Sequence, residues 1–94
     1  MGKPEAIVEK YLVKQAKDNN ILCDKLTSNG TCGLPDRLLI HNAHVFFIEL
    51  KSDVGKLSSI QKAIGKQLLA QKANYFVCSS KEQVDQILKK LLER

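Results

Sequence analysis

The chain has 94 residues, enough for one domain, and 15 Lys and Arg against 10 Asp and Glu give it a net charge of +5. With 44% apolar and 27% charged residues it has the make-up of a globular chain rather than a disordered tail, and it holds no apolar run near the ~18 residues of a membrane span. Cys23, Cys32 and Cys78 form an odd set without CxxC spacing, which argues against a disulfide framework and a Cys-only zinc site. Free thiols and no signal-peptide pattern point to a reducing cytoplasm. The basic balance favours an acidic partner, nucleic acid first among them.

Residues 4 to about 18 read as a helix, with Pro4 in its first turn and Val8, Leu12, Val13 and Ala16 as an apolar stripe. Asp18-Asn19-Asn20 is a stop signal. A short strand is expected over Ile21 to Leu26. Thr27 to Pro35 is a loop punctuated by Gly30, Gly33 and Pro35. Strands over 37–40 and 44–51, joined by a tight turn, predict an antiparallel hairpin. His41 and His44 flank that turn and read as polar surface residues. Ser52 to Leu57 is a loop containing Gly55. Ser58 opens a second helix to about Gln71, a strand follows over Asn74 to Cys78, and Ser80 opens a last helix. In that helix Val84, Ile87, Leu88, Leu91 and Leu92 form an amphipathic face. The order α-β-β-β-α-β-α implies an α/β single domain over 1–94, a mixed sheet flanked by helices. Crossover through the second helix lays the last strand beside the hairpin.

The 44–51 strand carries the chemistry. Val45, Phe47, Glu49 and Lys51 share one face, and Phe46, Ile48 and Leu50 the other. Both faces begin apolar, as in a central strand covered on both sides. Yet one ends in a carboxylate and an ammonium, which are costly in a dry place unless paired or bound. Glu-x-Lys also fits a simple ion pair on a frayed strand end. What favours a site is Asp36, after Pro35, which the hairpin can bring beside Glu49. Two converging carboxylates repel unless a cation or proton lies between them. Hard oxygen ligands suit Mg²⁺ or Mn²⁺. Lys51 could orient a water and offset phosphate charge.

Pro35-Asp36, twelve residues, then Glu49-Leu50-Lys51 resembles the PD-(D/E)XK nuclease motif. More closely, the chain resembles a stand-alone VRR-NUC domain of the virus-type replication-repair nucleases. Glu9-Lys10-Tyr11-Leu12, Lys25-Leu26-Thr27-Ser28, Gly33-Leu34-Pro35-Asp36-Arg37, Phe47-Ile48-Glu49-Leu50-Lys51 and Gly55-Lys56-Leu57-Ser58-Ser59-Ile60-Gln61 carry the likeness, in the family's order. The resemblance implies a restriction-endonuclease-like core. It implies Asp36, Glu49 and the Leu50 carbonyl as metal ligands, and Lys51 as the catalytic lysine. It also implies a first-helix glutamate that ligates the metal through water, Glu9 ahead of its rival Glu5. A plain alternative for both glutamates is a helix-start carboxylate favoured by the macrodipole. Gln61 matches the family too, while Ser58-Ser59-Ile60-Gln61 also fits a capping box.

Lys25, Arg37, Lys56, Lys62 and Lys66 are candidate DNA contacts, although a solvated face explains Lys62 and Lys66 equally simply. The implied function is a Mg²⁺- or Mn²⁺-dependent endonuclease for structured DNA such as four-way (Holliday) junctions or flaps. It would act as a homodimer, in a bacterial or phage-infected cytoplasm, without a small-molecule cofactor or membrane. The alternatives are a catalytically silent DNA-binding module of the same fold and a small interaction protein with a fortuitously basic surface.

Overall fold

A computed structural model describes residues 4–27, 30, 32–52 and 55–94. Ser28, Asn29, Thr31, Asp53 and Val54, expected in loops, and residues 1–3 lie outside the described residues. The elements follow in the order α1 (Pro4–Asp18), β1 (Leu22–Lys25), β2 (Arg37–His41), β3 (His44–Leu50), α2 (Ser59–Ala70), β4 (Asn74–Cys78) and α3 (Lys81–Leu92). No described helix is long and apolar enough to cross a membrane.

Local chemistry explains the boundaries. Asn20 ends α1 in the left-handed region (φ 59°), which Asn tolerates, and the Ile21 N–H returns to the Ala16 carbonyl at 2.8 Å. The hairpin turn puts Asn42 and Ala43 at φ 51° and 68°, the pair of positive values that matches the twist of the flanking strands. Ser58 and Ser80 cap α2 and α3 through their side-chain oxygens.

The sheet order is β1-β2-β3-β4, antiparallel except for the parallel β3–β4 pair. The register puts Cys23, Leu39, Phe46, Ile48, Leu50, Phe76 and Cys78 on one face. Against it pack Val8, Leu12 and Ala16 of α1 and Val84, Ile87, Leu88 and Leu91 of α3, closing the core. Leu92, expected on that buried stripe, is 39% exposed in the last turn of α3.

The other face is less well covered than the sequence suggests. α2 packs there against β4. Leu38, Ile40, Val45 and Phe47 stay only half-buried, and Leu22 of the edge strand is 55% exposed. One twelve-residue helix cannot roof four strands. The expectation that β3 is covered on both sides holds fully for Phe46, Ile48 and Leu50, and only in part for Val45 and Phe47.

Candidate active site

Glu49 is the one charged side chain buried among the described residues, 2% exposed. It stands on the partly covered face, at the end of β3 where the hairpin ladder stops. The last rung pairs Arg37 with Ile48, so one step further Asp36 lies opposite Glu49. Its backbone carbonyl accepts the Leu26 N–H at 3.1 Å, and its Oδ2 accepts the Leu50 N–H at 2.8 Å. A carboxylate thus replaces the missing backbone partner. Leu50 faces β2 with both main-chain groups, because a strand residue sends its N–H and C=O to the same side. Its carbonyl therefore leaves the strand on the side of Asp36. The Lys51 N–H turns the other way, to the Cys78 carbonyl at 2.9 Å, and carries the β4 ladder past the end of β3.

The loop before Asp36 is braced by Gly33. Its φ of +82° suits glycine, and a Cβ there would lie 2.5 Å from Ile60 Cγ2. The chain can press against the first turn of α2 only because that side chain is missing. Pro35, fully buried, follows.

Burial raises the Glu49 pKa from 4.5 to about 7, helped by the Asp36 charge, by a hydrogen bond with the Asp36 side chain and by Glu5; Lys51 opposes the shift. Two carboxyl groups meeting in a place poor in water require a proton or a cation between them. The donor set of two carboxylates with a main-chain carbonyl beside them fits a hard divalent ion. Among the described residues no three His, Cys, Asp or Glu gather as a ligand cluster.

Gln61 closes the capping box and also reaches Glu49. Its Oε1 accepts the Ser58 N–H at 2.8 Å while its own N–H donates to Ser58 Oγ at 3.1 Å, completing the capping box. Its Nε2 donates to Glu49 Oε2 at 3.0 Å. The cap fixes the amide orientation, and the fixed amide presents a donor to Glu49.

No family model and no curated protein matches the chain. A solved structure described as a "VRR_NUC domain" does match, at 28% identity, with a TM-score of 0.84 over 94% of this chain and 97% of that one. The match supports a VRR-NUC domain. The chain's three helices and four-stranded mixed sheet form the α/β restriction-endonuclease-like fold, and the fold match supports a nuclease domain of the PD-(D/E)XK type.

Within this VRR-NUC domain the two helix glutamates are placed differently from the expected ranking. Glu9 Oε2 accepts from Arg37 Nε at 2.9 Å, with the two side chains 31% and 13% exposed. Glu5 is the one whose charge reaches Glu49. Glu5 lies one turn before the buried Val8, whereas Glu9 meets Arg37 of the inner strand β2. The same ion pair removes Arg37 from the open cations. It ties α1 to β2, on the face opposite Asp36. Lys25, Lys56, Lys62 and Lys66 are exposed.

Sequence reasoning missed Tyr75. Its phenol pKa is raised by burial, then by the charges of Glu49 and Asp36, which places it beside the VRR-NUC carboxylate pair. No local motif marks it; only the β3–β4 register brings it there. His41 and His44 pair across the turn, half-buried, and the buried His41 Nδ1 has no hydrogen-bond partner. All three cysteines are free.

Proposed function

We propose that this domain hydrolyses phosphodiester bonds in structured DNA, four-way junctions or flaps, with Mg²⁺ or Mn²⁺ held by Asp36, Glu49 and the Leu50 carbonyl. The observation that carries the reading is the buried Glu49 carboxyl set against Asp36 at the end of a core strand. A bound divalent ion supplies Lewis-acid stabilisation of phosphate charge and a more acidic water. The protein's own groups do the rest. Lys51 sets an ammonium beside Glu49, where it offsets phosphate charge and orients the attacking water. Gln61 holds Glu49 Oε2 in one position. Glu5 takes the part of the helix carboxylate, and Glu9 anchors Arg37. Lys25, Lys56, Lys62 and Lys66 contact the DNA backbone, which makes affinity salt-dependent.

Action as a homodimer agrees with the small size of the domain and with the apolar sheet face that α2 leaves uncovered. Two symmetric sites suit a two-fold junction. The free thiols suit a reducing compartment.

The test is a panel of labelled forks, flaps and four-way junctions with Mg²⁺ or Mn²⁺. Cleavage of at least one branched substrate is expected, abolished by Asp36→Asn with DNA affinity retained. Light scattering at micromolar concentration should give a dimer mass. The alternative is a DNA-binding module of the same fold without turnover. Salt-dependent DNA binding with no cleavage and no Mn²⁺ uptake in calorimetry would select it.

A further inference from the structure

We propose that Gly65 is a positioning residue, whose missing side chain lets α2 sit close enough on Tyr75 for Gln61 to reach Glu49. The kinetic part of this inference rests on the nuclease reading above; the structural part does not.

Glycine in a helix interior costs about 1 kcal/mol relative to alanine, so its presence in α2 calls for a packing reason. Gly65 is the one buried residue of α2. A Cβ built on it would lie 2.9 Å from Tyr75 Cε2, 3.0 Å from Cζ and 3.1 Å from the hydroxyl oxygen. Ring or helix would have to move. Tyr75 pairs with Phe47 in the parallel ladder, two residues before Val77 pairs with Glu49, so Tyr75 and Glu49 share a face as diagonal neighbours. Gly65 lies four residues after Gln61, on the same side of the helix one turn on. α2 is thus seated on this face at two successive turns, by Gln61 on Glu49 at 3.0 Å and by Gly65 on the Tyr75 ring. A helix moves as a rod, so lifting the second seat displaces the first.

The experiment compares wild type with Gly65→Ala, Gly65→Ala/Tyr75→Val and Gly65→Ala/Gln61→Ala. In amide NMR spectra, the Gln61 side-chain NH₂ signals should move towards those of a free glutamine in Gly65→Ala and return when Tyr75→Val makes room. In cleavage assays, Gly65→Ala should lower kcat about tenfold with KM for DNA unchanged, the size expected for a misplaced site group. It should cause no further loss once Gln61 is already alanine. Gln61 signals that stay at their wild-type positions in Gly65→Ala would overturn the proposal, as would a kcat loss of equal size in the Gln61→Ala background. Should Gly65→Ala fail to fold, failure of Tyr75→Val to restore the folded signals counts against it. If wild type cleaves nothing, the nuclease reading falls and the NMR arm alone decides this one.

Discussion

The two sides of β3 are built to different rules. Phe46, Ile48 and Leu50 point into the apolar core layer closed by α1 and α3. Val45, Phe47 and Glu49 point to the side that α2 only partly covers, where the last position is a buried carboxyl facing a second one. A single strand of seven residues thus keeps stability and chemistry apart by alternation. Residues on the first side should govern whether the domain folds, and residues on the second what it does. Charge on the second side works against folding.

The largest effect should come from breaking the dry side. Phe46→Ala is expected to cost about 3–5 kcal/mol in urea or thermal denaturation, with the ion pair and the carboxylate site otherwise intact. On the other side the sign should reverse. Glu49→Gln is expected to end cleavage yet stabilise the metal-free domain at pH 8, by up to roughly 3 kcal/mol for a shift from 4.5 to about 7. A denaturation curve showing Glu49→Gln less stable than wild type at that pH would contradict the comparison.

The same difference can be followed by pH. An acid whose folded pKa lies above its ordinary value binds its proton more tightly in the folded state. The Glu49 contribution should therefore be most favourable below pH 4.5, weaken between 4.5 and about 7, and stay constant above. Denaturation midpoints measured in chelator, wild type against Glu49→Gln, isolate that trend. Adding Mn²⁺ above pH 7 should recover part of the loss, because a cation then offsets the carboxylate charges.

Much of this division is legible in the residues. Alternation along 44–50, the tight hairpin and the Ser58–Gln61 spacing are local patterns, and local patterns survive folding. The rotational setting of α1 is different. Glu5 and Glu9 are one turn apart, and only packing against the sheet and α3 decides which of them meets Arg37. Arg37 reads as an open cation for the same reason, since its partner is 28 residues away. The incomplete roof over Val45 and Phe47, and Tyr75 under Gly65, follow from where α2 lands, which no short spacing encodes.

Two smaller effects separate these assignments. Glu9→Gln should cost about 1–2 kcal/mol by leaving the mostly buried Arg37 without its partner, with a minor change in cleavage, while Glu5→Gln should slow cleavage and leave stability nearly unchanged. Denaturation and rate measured on both variants decide it; the reverse pattern would return Glu9 to the site. Smallest of all, Gln61→Ala should lower stability by about 1 kcal/mol through its half of the capping box. The accompanying fall in cleavage rate should be larger than that figure suggests.

The Leu50 N–H on Asp36 has an evolutionary consequence. Because the carboxylate pair is one rung beyond Arg37–Ile48, its spacing is counted in rungs of the hairpin. Residues added at the Asn42–Ala43 turn leave that count untouched. A single residue added inside β2 slides everything before it by one place. Asp36 then passes to the opposite side of the sheet and Arg37 comes opposite Glu49, unless a bulge absorbs the extra residue. Insertions and deletions in this segment are therefore filtered by parity: a lineage can lengthen the hairpin freely at its tip, but along its strand the site is either in phase or lost.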